Sequence, residues 1–372
     1  MKKLLFYYPQ HFNRSKNGTN PFFDRMLDIC DREGIDYDIL EEPDGETDKP
    51  RNVKASKADA FFWIVTAIRK IMATLFPNQD FYKREKKVAA VINLISAGRY
   101  RYEKYITISG SMYHLFASLN PNATVYDMQH GVLFKHHPTF FDQTTLRLRK
   151  QYYPENLHFM FWGEGYRKCF VSGEEKVMSG KDHVVGYPVD NNLPALRRDH
   201  QSLKQIVVSL QFTHDVCKDE LENMKQTLVR FLENTEHLGI KVMLKNHPRY
   251  NHSIEIDDIF VRFKHAELTN ARLEELVPST LLHVTYFSTT AFEYAQFGVP
   301  TFFLPYENKP LAETLFYDEY HYPLYLENSI TEVVELLSNA DYYAKTSATV
   351  RKWYEEFYSP FDEKAFLKLI RE

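Results

Sequence analysis

The chain has 372 residues, enough for two domains of ordinary size, and its 44% apolar and 26% charged residues are typical of a folded globular protein. A net charge of −4 argues against a polyanion-binding protein as a whole, so no nucleic-acid partner is expected. The three cysteines are widely scattered, which indicates a reducing compartment and argues against a disulfide framework or a cysteine zinc site.

The amino terminus, MKKLLFYYPQHFN, is predicted to form a first buried strand and not a signal peptide. Its apolar run before Pro9 is only five or six residues long, and no small-residue cleavage site follows. The longest apolar segment, 58–76, is interrupted by Arg69 and Lys70 and is shorter than the roughly 20 apolar residues that a membrane-spanning helix needs. It is interpreted as a largely buried amphipathic helix, with a helix lying on a membrane surface as the alternative.

Short apolar runs then alternate with helical patterns, which is typical of α/β layering around a mostly parallel sheet. Strands in the first half are predicted at Lys3–Tyr8, Tyr37–Leu40, Tyr105–Ile108, Thr124–Met128, Leu157–Phe161 and His183–Val185. Helices between them are predicted at Phe22–Arg32, Asp59–Phe76 and Ser111–Ser118.

A polar segment with two prolines, 188–204, is the best candidate for a linker. After it the alternation begins again, with strands predicted at 205–210, 241–246, 281–286 and 300–304 and helices at 221–238 and 289–298. We therefore predict a first domain at 1–190, a linker at 191–204 and a second domain at 205–340. The last segment, 341–372, is predicted to form helices that pack back on the first domain.

Polar residues follow the predicted strand Thr124–Met128, in the stretch VYDMQHGVLFKHHP. Gln129, His130 and Gly131 come directly after that strand, where open parallel sheets bind ligands. His130 is a candidate general base for an acceptor hydroxyl, because imidazole titrates near neutral pH, or a group that stabilises a leaving phosphate. Asp127 competes as the base, although its place inside the strand favours a structural role.

Further along this stretch, Lys135, His136 and His137 either contact an acceptor or simply decorate a loop. These histidines lack the helical ligand spacing and the accompanying carboxylates of a metal site, so no metal is expected.

The stretch LKNHPRY places three potential cations within five residues just after a predicted strand, which suits a phosphate. They are Lys245, His247 and Arg249, and Pro248 fixes the turn that aims them. A solvated basic loop is the alternative interpretation of the same residues.

The stretch VTYFSTTAFEYAQFGVP reads as a strand, three hydroxyl residues and a helix. Ser288, Thr289 and Thr290 are ordinary caps at a helix start, or they join the free amides of the first turn in an anion site. Glu293 follows on the helix, where it is either an exposed carboxylate or a ligand for sugar hydroxyls.

These motifs carry a resemblance to GT-B glycosyltransferases. The pattern of Ser/Thr, then Glu-x4-Gly-x-Pro, resembles the nucleotide-binding region of many of them, in which the glutamate holds ribose hydroxyls and the turn before the helix holds phosphate. KNHP followed by FSTTAFEYAQFGVP is similar to the motifs of transferases with cytidine-activated donors: bacterial sialyl-, polysialyl- and Kdo transferases and polymerases that use CDP-glycerol. QHG recurs in related capsule and surface-glycan enzymes. The chain lacks the Asp/Glu-Asp/Glu-Gly motif of the sialyltransferases, which leaves their general base without a counterpart.

The resemblance implies two Rossmann-like doubly wound domains with a cleft between them and a helical carboxyl-terminal tail. It adds three donor-phosphate candidates after the first strand of the second domain: Gln211, Thr213 and His214. It places the loop 10–23, with Asn17 and Gly18, beside the acceptor. It also makes Glu164 a cleft contact or a helix cap, and makes Gly186 and Pro188 structural parts of the segment between the domains.

The function expected from this resemblance is a metal-independent, cofactor-free transfer of sugar in capsule, lipopolysaccharide or other surface-polysaccharide synthesis. The first choice of donor is a CMP-activated nonulosonic or ulosonic acid, followed by a nucleotide-diphosphate hexose and CDP-glycerol. The acceptor would be a glycan or a lipid-linked glycan. A non-catalytic nucleotide-sugar binder and a nucleotide-sugar epimerase of the same fold are the alternatives.

The expected location is the cytoplasm, and peripheral attachment to the inner face of the membrane stays open. The candidates for such attachment are the helix at 58–76 and the basic residues Arg147, Arg149 and Lys150.

Overall fold

The computed structural model describes residues 2–14, 17–43, 50–56, 58–108, 110, 112–135, 140–142, 145, 148, 153–189, 199–214, 216–247, 250, 254–305, 313–324 and 329–372. The chain forms two compact units. Unit 1 holds Met1–Asp190 and Phe357–Glu372, and unit 2 holds Asn191–Glu356.

Strands and helices alternate along most of the chain. The strands are β1 (Lys2–Pro9), β2 (Tyr37–Glu42), β3 (Tyr102–Ile108), β4 (Thr124–Met128), β5 (Leu157–Phe161), β6 (Asp182–Val184), β7 (Gln205–Ser209), β8 (Lys241–Lys245), β9 (Ala266–Leu268), β10 (Thr280–Thr285) and β11 (Thr301–Phe303). The helices are α1 (Pro21–Arg32), α2 (Asp59–Leu75), α3 (Phe81–Ile95), α4 (Tyr113–Leu119), α5 (Glu164–Val171), α6 (Glu175–Met178), α7 (Lys218–Thr235), α8 (Asp257–Arg262), α9 (Leu273–Leu276), α10 (Thr290–Ala295), α11 (Ile330–Ser338), α12 (Ala340–Phe357) and α13 (Glu363–Arg371).

Unit 1 is built on a six-stranded sheet with the order β2-β1-β3-β4-β5-β6. All neighbouring strands run parallel. Every residue of the run 4–8 in β1 is buried, because helices cover both faces of a sheet of this kind and leave no polar face. The carboxyl ends of β1, β3, β4 and β5 therefore share one edge of the sheet.

Unit 2 repeats the design with a five-stranded sheet of the order β11-β10-β7-β8-β9, again parallel throughout. Its core contains aliphatic side chains from the central strands, such as Val208, Val242, Leu244, Leu282 and Val284, packed with residues of α7 and α11. The predicted fold class, α/β with two parallel sheets and a helical carboxyl-terminal segment, is confirmed.

The carboxyl-terminal segment is divided between the units. Through α12, Trp353 stacks on Phe292 of unit 2 with ring centroids 4.4 Å apart. The residues after α12 join unit 1, where the Asp362 amide donates to the Val185 carbonyl over 2.8 Å and Pro360 forms an isolated bridge with Tyr187. Of the segment predicted to pack on the first domain, Phe357–Glu372 belongs to unit 1, and 341–356 belongs to unit 2.

Gly186 lies at this junction of β6 with the carboxyl-terminal segment and has a backbone that only glycine adopts readily. Its φ is +83°, and an added Cβ would lie 2.2 Å from the Pro360 carbonyl oxygen. The structural role predicted for Gly186 has this physical basis.

We expect Gly186→Ala to destabilise the protein by roughly 3 kcal/mol or more, because both the left-handed backbone and the collision with Pro360 resist a side chain. Gly180→Ala is the matched control: its φ is +73°, but no atom lies within 4 Å of the added Cβ. The control should cost only about 1 kcal/mol in the free energy of unfolding measured with urea. Equal losses for the two variants would show that the close approach to Pro360 does not matter.

Candidate functional site

The predicted donor-binding residues of unit 2 follow three neighbouring strands. β7 lies between β10 and β8, and the register pairs Ser209 with both Thr285 and Lys245 in one row across the sheet. Since adjacent strands are about 4.8 Å apart, the residues that follow this row leave the sheet within about 10 Å of one another laterally. From β7 the chain continues to β8 on one side, and it later returns to β10 on the other side of β7. The boundary between β7 and β10 is therefore the switch point, where such sheets bind ligands.

Gln211 joins two of these strand ends. Its Oε1 accepts a hydrogen bond of 2.7 Å from the Phe287 amide, just after β10, and one of 3.3 Å from Thr285 Oγ1. Thr213 is buried and forms an isolated antiparallel bridge with Tyr250, whereas His214 is exposed. Gln211 and Thr213 therefore hold the loop in place, and His214 is the accessible polar group of the three predicted residues.

The β8 end carries the LKNHPRY motif. Lys245 and His247 are half-buried, and the Lys245 ammonium donates to the Ala271 carbonyl. Pro248 and Arg249 lie outside the described residues. Between the two cations, Asn246 buries its Oδ1 without a hydrogen-bond partner among the residues that the structure describes. A buried acceptor without a partner costs about 1–3 kcal/mol, so Asn246 is an additional candidate contact for a ligand hydroxyl or amine.

The β10 end begins a short helix. Ser288 Oγ accepts from the Thr290 amide at 3.2 Å, and the Ser288 carbonyl accepts from the Ala291 amide at 3.1 Å. Thr289 is exposed, and Thr290 turns its hydroxyl toward His283. Because α10 has only six residues, its dipole is a weak source of positive potential, and the hydroxyls are the stronger candidates for a phosphate.

Glu293 connects this end with the β8 end electrostatically. The Glu293 side chain exposes part of its surface, yet burial of its carboxyl group by the surrounding protein raises the pKa of that group. The charge of Lys245 lowers the same pKa, and the charge of Glu274 raises it. The Lys245 effect places the two predicted motifs within range of each other. The oxygens of a carboxyl group can bind sugar hydroxyls, and a raised pKa lessens its repulsion of a neighbouring phosphate.

His283 was not among the predicted site residues, although it lies in the centre of this region. It is completely buried inside β10, bonded through Nδ1 to Thr301 Oγ1 at 3.0 Å and through Nε2 to Ser209 Oγ at 2.9 Å. Its ring stacks on Tyr294 of α10 with centroids 4.0 Å apart. The sequence signal was a histidine within the mostly apolar run LLHVTY.

Burial lowers the pKa of His283 to about 3, so the imidazole is neutral in the folded protein at ordinary pH. A histidine whose pKa falls on folding stabilises the protein above its unfolded pKa of about 6.5, and this stability is lost as pH falls. At pH 5 the loss from this one group amounts to about 2 kcal/mol.

We therefore expect His283→Asn, which keeps a hydrogen-bonding side chain that does not titrate, to flatten the decline in stability between pH 7 and pH 5 by about 2 kcal/mol. Urea unfolding at several pH values measures this slope directly. The lower stability of the variant at pH 7 does not interfere, because the comparison is between slopes. An unchanged slope would mean that His283 is protonated in the folded protein.

In unit 1, the β4 end is held by Gln129. Its Oε1 accepts from the Trp162 amide at 3.0 Å, just after β5, and its Nε2 donates to the Gly131 carbonyl at 2.8 Å. Both bonds fix the backbone that carries His130, which is half-buried and meets the Phe12 ring edge-to-face at 5.8 Å. Gln129 thus acts as a clamp, and His130 is the group that it positions at the sheet edge.

Asp127 is buried inside β4. Its Oδ1 accepts from Thr107 Oγ1 at 2.8 Å and from the Gly110 amide at 3.2 Å, so it secures the turn after β3. Burial raises its pKa to about 6, and the two hydrogen bonds oppose that shift. This placement favours a structural role and leaves His130 as the better-placed candidate for the base.

The other predicted acceptor residues are spread over unit 1. Asn17 is exposed, and Gly18 passes so close to the chain that an added Cβ would lie 2.2 Å from the Arg51 carbonyl. Glu164 begins α5 and forms an ion pair with Arg167, which also binds Asp182. Lys135 is half-buried.

Several basic candidates lie outside the described residues: His136, His137, Arg147, Arg149 and Lys150. Within the described ranges, no three His, Cys, Asp or Glu side chains come together in a group that could hold a metal ion.

Comparison with known proteins gives the fold a context. No protein-family model and no curated protein matches the chain. Among solved structures, the S. aureus MnaA–UDP complex matches 100% of this chain and 95% of its own at 11% identity, with a TM-score of 0.51. A variant of the wall teichoic acid polymerase TagF matches 100% of this chain and 87% of its own at 13% identity, with a TM-score of 0.51.

The UDP-GlcNAc 2-epimerase from Neisseria meningitidis, bound to UDP-GlcNAc, matches 99% of this chain and 98% of its own at 11% identity, with a TM-score of 0.51. The fold is of the GT-B type. Similarity at such low identity shows the fold alone.

Proposed function

We propose that the protein is a metal-independent glycosyltransferase of bacterial surface-polysaccharide synthesis that takes a sugar from a nucleotide-activated donor. The observation that carries this proposal is the alignment of three strand ends in unit 2. Lys245 lies in the paired row at the switch point of a parallel sheet, and Gln211, His247 and Ser288 follow that row.

The chemistry of these residues suits a nucleotide phosphate and its ribose. Lys245, His247 and the hydroxyl of Ser288 can bind phosphate oxygens by charge-assisted and neutral hydrogen bonds. Glu293, with its raised pKa, suits ribose hydroxyls. The similar solved structures support the donor class, since one contains UDP and another contains UDP-GlcNAc.

For the donor we propose a cytidine-activated sugar, first a CMP-activated nonulosonic or ulosonic acid. The support is the likeness of KNHP and FSTTAFEYAQFGVP to cytidine-dependent transferases. A nucleotide-diphosphate hexose and CDP-glycerol are the alternatives, and the similarity to a wall teichoic acid polymerase keeps the latter in view.

His130 is proposed as the general base. The acceptor oxygen forms a bond to the anomeric carbon while the bond from that carbon to the phosphate oxygen breaks, and the acceptor proton passes to the imidazole. The electron pair of the broken bond leaves with the nucleotide, where Lys245 and His247 stabilise the charge that develops. No step requires a metal.

A nucleotide screen tests the donor class. We expect CMP or CDP to raise the melting temperature more than UDP or GDP, because a ligand that binds only the native state adds RT ln(1 + [L]/Kd) to its stability. His247→Ala and Ser288→Ala should each weaken the binding of the preferred nucleotide about tenfold, the loss of roughly 1.4 kcal/mol.

His237→Ala is the matched control for that series, since His237 is exposed in unit 2 just before β8 begins, at the opposite edge of the sheet. The proposed site is wrong if this control weakens nucleotide binding as much as His247→Ala does. Absence of a response to all four nucleotides would contradict the proposed donor class.

We expect His130→Ala to reduce the rate of transfer by about 100-fold to 10,000-fold and to leave nucleotide affinity unchanged, as removal of a general base does. Asp127→Asn should mainly lower stability, because Asp127 supports the turn after β3. Steady-state transfer rates and nucleotide titrations of the two variants separate these roles. If Asp127→Asn abolishes transfer and His130→Ala does not, the two assignments must be exchanged.

A nucleotide-sugar epimerase is the second candidate, favoured by the fold similarity to UDP-GlcNAc 2-epimerase. Incubation with UDP-GlcNAc and no acceptor distinguishes the two functions. A new epimer detected by NMR would establish the epimerase, whereas a transferase leaves this substrate unchanged.

A further inference from the structure

The helix α2 exposes a continuous apolar face. Trp63, Ala67 and Ile71 recur every four residues, with Ile64 and Leu75 beside them, so they share one side of the helix. Trp63 is 76% exposed, Ile71 54% and Leu75 62%. Isolated exposed apolar residues are ordinary in soluble proteins, but a row of five along one helix indicates an interaction surface. We call these five residues the α2 face.

The α2 face is not required for packing within unit 1. The other side of α2 already contributes Phe61, Phe62, Val65 and Ile68 to the buried core. None of the described helices is both long enough and apolar enough to cross a membrane. The helix therefore carries apolar residues on two sides, one buried in the core and one exposed.

Positive charge lies next to the α2 face, on the helix α3 that packs against α2. The α3 basic cluster consists of Lys83, Arg84, Lys86 and Lys87. Lys87 Nζ lies 4.2 Å from the centroid of the Phe76 ring, directly after Leu75 of the α2 face. Glu85, which lies between these residues in the sequence, is buried and bound by Arg69 through two hydrogen bonds of 2.9 and 2.7 Å. Asp80, just before α3, pairs with Lys83 at 3.4 Å and leaves the other three basic side chains of the cluster to set its charge.

The charge of the whole segment is therefore opposite to that of the chain. Residues 59–95 contain six basic and three acidic side chains, a net charge of +3, whereas the chain carries −4. This local positive charge disfavours association with a second copy through the same face and favours an anionic partner.

We propose that the α2 face and the α3 basic cluster dock the protein on an anionic lipid bilayer, with α2 lying in the plane of the interface. Apolar side chains would enter the boundary between headgroups and acyl chains, as amphipathic interfacial helices do, and Trp63 has the side chain most favoured at that depth. The lysines and Arg84 would contact lipid phosphates. This proposal does not depend on the donor or on the reaction.

Tryptophan fluorescence provides a direct test, because the chain has three tryptophans and only Trp63 is exposed. Trp162 and Trp353 are 3% and 5% exposed, so they should not respond to vesicles. We expect the emission to shift to shorter wavelength when phosphatidylcholine vesicles containing phosphatidylglycerol are added, and Trp63→Phe to abolish the shift while cosedimentation persists.

Variants separate the apolar and the electrostatic contributions. Ile71→Ser combined with Leu75→Ser should weaken cosedimentation at least roughly tenfold, since two buried aliphatic side chains are lost. Lys83→Gln combined with Lys86→Gln should remove the preference for phosphatidylglycerol. The matched controls are Val261→Ser, an apolar residue of unit 2 that is 73% exposed, and Lys345→Gln with Lys352→Gln on exposed positions of α12.

The proposal is overturned by no binding to either vesicle, by equal binding to neutral and anionic vesicles, or by equal losses in the control variants. Light scattering that shows a dimer dissociated by Ile71→Ser would assign the α2 face to a second copy instead, which also contradicts it. Urea unfolding of the same variants, measured in parallel, shows whether they are folded, and it does so whether or not the proposed transferase is correct.

Discussion

The parallel register of β7 between β10 and β8 is the constraint on which the candidate donor site depends. A slip of one residue in any of these strands would turn every side chain to the opposite face and separate the three motifs. His283 favours the observed register, because its two ring nitrogens bond Ser209 on β7 and Thr301 on β11, and a slip would break both bonds. The buried imidazole thus links three neighbouring strands through hydrogen bonds, and the same burial lowers its pKa.

A second constraint recurs in both units and involves glutamine. Gln129 follows β4 and accepts from the amide just after β5, while Gln211 follows β7 and accepts from an amide just after β10. In each case the side-chain oxygen of the glutamine accepts a hydrogen bond from a backbone amide just past the end of the neighbouring strand. That amide lies beyond the last hydrogen bond between the two strands and would otherwise lack a partner. Each glutamine holds together the loops that follow two neighbouring strands of its own sheet. It thereby fixes the position of adjacent polar residues, which are His130 in unit 1 and the 211–214 loop in unit 2.

The fold was predictable because alternation of apolar runs and helical patterns requires only local information. β4 and β5 were predicted with the bounds that the structure shows, Thr124–Met128 and Leu157–Phe161. The helix α3 was not predicted, since its buried side consists of Glu85, Val88, Ala89 and Ile92, and a buried glutamate hides the apolar period. The edge strand β9 was also missed because three residues with an exposed glutamate carry no strand pattern.

Side-chain roles in the candidate site were harder to predict, because they depend on the order of strands in the sheet. The sequence shows that Gln129 and Gln211 follow strands, but their partners lie 33 and 76 residues further along the chain. Asn246 and His283 were not predicted as site residues for a related reason. Burial of their polar atoms depends on how the strands and helices pack, and the sequence does not show this. The charge balance at this edge is likewise a packed property: Lys245 and a glutamate with a raised pKa lie within range of each other. A raised pKa favours the uncharged form of Glu293, and this reduces the negative charge that would oppose a phosphate at a sheet edge without a long helix dipole.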